Sequence, residues 1–145
     1  MPFHRGSPRR HVLDANALVA YFEGRQPAGQ KIRSLFEEAL RLELTLFMSA
    51  VNWGEVFYVE WRIHGEPAAR VAESNLHRLP ILVVAADLDR ATRAAALKQK
   101  HNLGYADSFA AELAIEQGAW LVTADPEFSR LGKMISLYPL SRHQK

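Results

Sequence analysis

The sequence contains no cysteine. Disulfide staples, thiolate chemistry and Cys-ligated zinc are therefore excluded, and a reducing compartment suits the chain, so a cytoplasmic location is expected. No apolar run approaches the roughly 20 residues a membrane span requires, because Arg, Glu, Asp or His interrupts every candidate. Internal repeats, low-complexity blocks and Gly/Ser linkers are missing, as are the GxxxxGK[ST] and GxGxxG stretches that cradle phosphates.

What is there is the composition of one soluble domain. In 145 residues, 48% are hydrophobic and 23% charged, enough to build a core and too short for two. Eighteen Lys and Arg stand against 16 Asp and Glu. Five of those cations, Arg5, Arg9, Arg10, Arg142 and Lys145, lie near the termini, which leaves the body with 13 against 16, a net of −3. A broad attraction for nucleic acid is thus not supported by the body. Residues 1–10 lack periodicity and read as a disordered basic leader, 11–140 as the domain, and 141–145 as a short basic tail.

Short aliphatic runs recur at "HVLDA", "LTLFMS", "ILVVAA", "AWLVTA" and, weakly, "MISLY". Between them lie helical stripes, one through Ile32, Leu35, Phe36, Ala39 and Leu40, another through Leu88, Ala91, Ala94, Ala95 and Leu97. Strands alternating with helices predict a three-layer α/β fold, a mostly parallel central sheet flanked by helices. Ser49 and Asp87 are placed to cap helices. Ligands in such sheets collect beyond the carboxyl ends of the strands.

Four carboxylates fall where that rule matters. Asp14 closes the first strand in "HVLDANAL", and Asp125 follows "AWLVT" at the exit of another. Asp107 begins an apolar helix in "NLGYADSFAAELA", and Glu55 sits inside the helix of "SAVNWGEVFYVEW". Each acid has a plainer reading: Asp14 as an Asx turn, Asp107 as a cap, Asp125 as a cap before Pro126. Glu55, with Val51 and Val59 one turn to either side, is harder to explain that way. No His or Cys accompanies these acids in motif spacing, which counts against zinc and against a Ser-His-Asp arrangement. Converging carboxylates repel unless a hard cation joins them. Oxygen-only ligation suits Mg²⁺ or Mn²⁺, and such an ion can activate water for phosphodiester hydrolysis.

In their order and settings, "LDANAL", "SAVNWGEV", "YADSFAAELA" and "VTADPEF" resemble the PIN domain, and at this length the VapC-type toxin ribonucleases of toxin–antitoxin pairs. The resemblance runs from about residue 11 to 140. It implies that Asp14, Glu55, Asp107 and Asp125 hold Mg²⁺ or Mn²⁺ and cut RNA to leave a 5′-phosphate, with Asn16 and Thr123 in support. It also implies a homodimer and a cognate antitoxin that occupies the active site. The leader is longer than is usual for the small toxins, and the body is acidic.

Around the Glu55 helix, Trp53, Phe57 and Trp61 form a stripe centred about 160° from Glu55 at roughly 100° per residue. It is expected, with Tyr58 and Ile63 at its margins, to meet the antitoxin or a second protomer; the alternative is a helix buried on both sides in its own domain. His11, His64, His77 and His101 sit among polar neighbours and read as solvated. Arg90, Arg93, Lys98 and Lys100 form either a wet helix face or a phosphate guide. The rival from another class is a receiver-like signalling domain that accepts a phosphoryl group on Asp beside Mg²⁺. It wants paired acids after the first strand, an Asp ending the middle strand and a late Lys, and Asp87 and Lys133 match that poorly.

Overall fold

The computed structural model describes residues 8–140. Five parallel strands, β1 (Arg9–Leu13), β2 (Leu44–Ser49), β3 (Ile81–Val84), β4 (Trp120–Thr123) and β5 (Ser136–Pro139), lie in the order β3-β2-β1-β4-β5. Six helices connect them: α1 (Ala15–Phe22), α2 (Ala28–Leu40), α3 (Ala50–His64), α4 (Glu66–Leu76), α5 (Leu88–His101) and α6 (Tyr105–Gln117). A 3-10 segment, Pro126–Met134, links β4 to β5. The expected α/β sheet flanked by helices is therefore present.

Alternation along the strands divides the core into two layers. Leu13 of β1 and Val122 of β4 face one layer with Leu18, Ile32, Leu35 and Met48. Their neighbours Val12 and Leu121 face the other, with Ala110, Leu113 and Phe128. A parallel sheet covered on both sides needs this continuous apolar content. At the sheet's edge the rule weakens: Leu82 of β3 remains 58% exposed.

Several local expectations change on folding. Arg9 and Arg10 are not leader but the start of β1, in register with Leu44 and Thr45, and the Arg9 guanidinium donates to Glu38. The rest of the expected leader, and the tail over 141–145, lie outside the described residues. His11 is buried against Tyr138, with ring centroids 5.7 Å apart, and is not solvated; burial lowers its pKa. In α5 only Ala94 and Leu97 of the proposed stripe are buried, and Leu88 is exposed in the first turn. Arg90 instead lies on the α6 side of the helix, because Glu112 on α6 is buried and its carboxylate accepts from both Arg90 and Arg93. Those arginines are engaged in an ion-pair network around the buried Glu112 carboxylate rather than held free for phosphate.

The strand order also decides against the receiver alternative. A receiver-type sheet runs 2-1-3-4-5, with β1 between β2 and β3. Here β1 lies between β2 and β4, and Asp87 is an exposed cap that accepts from the Arg90 N–H at 2.9 Å.

Candidate metal centre

The chain moves outward from β1 through β2 to β3, then returns to the other side of β1 with β4. That reversal makes the carboxyl ends of β1 and β4 the switch point where α/β sheets open a crevice. Asp14 leaves β1 there. Its buried carboxylate caps α1 by accepting from the Ala17 N–H at 2.8 Å, and it also accepts from the Thr123 hydroxyl at the end of β4. Thr123 Oγ1 in turn accepts from the Asp125 N–H at 2.9 Å. One threonine thus ties the two strand ends and orients the following acid. Asp125 caps the 3-10 segment through the Glu127 N–H, 2.9 Å away.

Two helices deliver the other acids. Asp107 is in the first turn of α6, whose cap is Gly104, so it is a helical side chain rather than the cap its position suggested. A Cβ at Gly104 would come within 3.2 Å of Asp107 Oδ2, so glycine leaves that carboxylate room. Glu55 projects from α3 with Oε1 buried and without a hydrogen-bond partner among the described residues. The two helices are joined by Asn52, whose Nδ2 donates to the Ala106 carbonyl at 2.9 Å.

Electrostatics show that these acids share one field. Burial pushes Asp14 up to about 7, opposed by the Thr123 and Ala17 hydrogen bonds and reinforced by the charges of Asp107 and Asp125. Burial raises Asp107 to about 6, with the charges of Asp125, Glu55 and Glu127 adding to it. Burial alone raises Glu55. Among the described residues, no cationic side chain offsets any of the three. A cluster of this kind holds protons near neutral pH unless a cation replaces them.

The residues fit such a cation. Asp107, Asp125 and Glu127 each bring a carboxylate oxygen within 4.8 Å of the others, an all-oxygen donor set suited to Mg²⁺ or Mn²⁺, and the charge of Glu55 acts on Asp107 as those of Asp107 and Asp125 act on Asp14. Glu127 was missed in the sequence, where an acid after Asp-Pro reads as a first-turn residue favoured by the helix dipole. Its spacing from Asp125 is the available signal: two residues on, it lies on the far side of one tight turn.

Asn16 is exposed at the mouth, lining a groove of about 630 Å³ with Asp125, Pro126, Gln26 and Arg25. Away from this mouth the aromatic stripe meets α4. The Arg70 guanidinium lies 5.1 Å from the Phe57 ring centroid and 6.0 Å from that of Trp61, and Trp53 packs against the core. Trp61 keeps 42% of its surface exposed, beside exposed Tyr58 and Ile63.

Known folds place this geometry. The superposable structures include the DNA-bound VapBC from Salmonella typhimurium, with a TM-score of 0.70 and 20% identity over 92% of this chain and 99% of that one. VapBC2 from Rickettsia felis, bound to a promoter DNA fragment, gives 0.70 and 16% over 90% and 98%. VapC20 from Mycobacterium tuberculosis, a sarcin-ricin loop cleaving toxin, gives 0.69 and 16% over 84% and 95%. At these identities the likeness is one of fold. Comparison with curated proteins yields no match. The sequence itself matches the PIN domain over residues 11–134, a span that takes in all four expected acids and Glu127. The chain belongs to the PIN domain family.

Proposed function

We propose that this protein is an endoribonuclease dependent on Mg²⁺ or Mn²⁺, and the toxin of a toxin–antitoxin pair. The observation that carries the reading is the carboxylate trio Asp107, Asp125 and Glu127 at the switch point, with Asp14 and Glu55 in the same electrostatic field and no cationic side chain offsetting them among the described residues. The PIN family is one of nucleases, and the fold is shared with the toxins of VapBC complexes.

In this reading Asp14, Asp107, Asp125 and Glu127 hold the ion directly or through water, and Glu55 completes the cage or orients the attacking hydroxide. The ion, when bound, supplies a lowered water pKa and charge neutralisation at the scissile phosphate. Thr123 keeps Asp14 aimed and anchors the turn that presents Asp125. Asn16 and Arg25 on the groove position the RNA backbone, Arg25 being the one basic residue among the groove's lining. The exposed part of the aromatic stripe, Trp61 with Tyr58 and Ile63, serves a cognate antitoxin or a second protomer of a homodimer in the cytoplasm.

Purified protein incubated with total RNA should cut in Mn²⁺ and stop in EDTA, and Asp14→Asn should be inactive in both. Cleavage that continues in chelator removes the proposed mechanism. Trp61→Ala should weaken the partner complex and leave cleavage intact; loss of folding instead would assign the stripe to the domain's own core.

A further inference from the structure

A second group of ligands lies on the opposite side of α3. The inward stripe of this helix is Asn52, Val56 and Glu60, so an acid occupies a position where the pattern calls for an apolar residue. Glu60 is 6% exposed, and its Oε2 has no hydrogen-bond partner among the described residues. One turn later on the same face stands His64. Facing both is Glu23, the C-cap of α1. Its Oε1 accepts from Arg25 at 2.8 Å, while its Oε2 is buried, without a hydrogen bond, and 3.5 Å from His64 Nε2.

One ligand atom from each of Glu23, Glu60 and His64 lies within 4.8 Å of the other two. Arg25 compensates Glu23 through Oε1, but the Oε2 atoms of Glu23 and of the buried Glu60 are left without a hydrogen-bond partner among the described residues. Glu23 Oε2 and His64 Nε2, 3.5 Å apart, are already spaced for a shared ion, since ligands about 2.1 Å from a tetrahedral centre sit roughly 3.4 Å apart. Imidazole with two carboxylates is a donor set for Zn²⁺ or a similar transition ion rather than for Mg²⁺. We propose that Glu23, Glu60 and His64 form a second divalent-metal site, selective for Zn²⁺-like ions, that pins the end of α1 to the end of α3.

This site owes nothing to the acids of the switch point, and it would also fix Glu23 as the anchor of Arg25, which lines the substrate groove. The test uses full-length Asp107→Asn protein, which lacks a ligand of the nuclease pocket. Zn²⁺ should still bind it in calorimetric titration and raise its Tm. Co²⁺ should give the visible bands of a four-coordinate ion and a far-shifted, exchangeable imidazole N–H proton resonance, which a carboxylate-only pocket cannot produce. An outer partner of a ligand is worth roughly tenfold in affinity, so His64→Ala or Glu60→Gln in this background should weaken Zn²⁺ by at least that and abolish the resonance. In the otherwise unaltered chain both changes should leave Mn²⁺-dependent RNA cleavage in place. His64 is exposed, so its replacement keeps the test valid even where Glu60→Gln perturbs folding. Absence of Zn²⁺ binding in Asp107→Asn, as expected of a carboxyl pair that shares a proton, or binding undiminished by His64→Ala, overturns the proposal.

Discussion

At the scale of single residues, the acids of the pocket oppose the fold that holds them. Asp107 has its pKa raised from 3.8 to about 6 by burial and by neighbouring carboxylates. In the metal-free protein the native state therefore keeps a proton that the unfolded state has released, and stability falls as pH rises from about 4 through 6. Asp107 is partly exposed, so the loss at pH 8 is on the order of 1 to 2 kcal/mol. Asp107→Asn should accordingly raise the Tm of metal-free protein by a few degrees at pH 8 and by almost nothing at pH 4, and it should shrink the Tm rise caused by Mn²⁺. Thermal melts at the two pH values, with and without the ion, decide the matter. Thr123→Val keeps the shape of a buried side chain but leaves the Asp125 N–H and an Asp14 oxygen short of a partner. A loss of about 1 to 3 kcal/mol in urea unfolding is expected, with cleavage reduced because the turn carrying Asp125 loses its anchor.

At the scale of elements, α3 and α6 hold Glu55 and Asp107 in mutual position, and Asn52 is the link between them. Asn52→Ala should weaken Mn²⁺ binding about tenfold, as loss of an outer-shell support does, while far-UV circular dichroism stays unchanged. The α5–α6 pair makes the converse prediction. Glu112 is buried and relies on Arg90 and Arg93; Arg93 remains when Arg90 is removed, so Arg90→Ala should destabilise the chain by about 1 to 2 kcal/mol and leave RNA affinity unaltered, as read from unfolding and from filter binding.

The elements also show what could be read in advance. All five strands match aliphatic runs in the sequence, and Asp14 and Asp125 are legible as candidates because strand ends in a parallel sheet are where chemistry gathers, whereas Glu55 and Asp107 stand on helices. The parts that could not be read depend on what lies opposite. The α5 stripe fails because Glu112, on another helix, draws Arg90 inward and leaves Leu88 out. Glu60 and His11 are polar residues in buried places, assigned by partners distant in sequence rather than by their own neighbours. Glu127 joins the pocket only because Gly104 and α6 bring Asp107 to the same turn.

For the whole molecule, charge and topology are the governing quantities. With Arg9 and Arg10 in β1, residues 8–140 carry 15 Lys and Arg against 16 Asp and Glu, a net of −1, and among the described residues one arginine lines the groove beside the acids. RNA binding should therefore respond weakly to salt. A plot of log K against log salt should have a slope shallower than about −2, since each neutralised phosphate of a single strand contributes about −0.7. A steeper slope would show that the terminal cations grip the backbone.

The pairing of β1 with β4 joins residues more than a hundred positions apart. A growing polypeptide acquires Asp14, Glu55 and Asp107 before it acquires Thr123, Asp125 and Glu127. Until β4 takes its place beside β1, the carboxylates of the candidate site stand apart, so closing the sheet and assembling the site are one event.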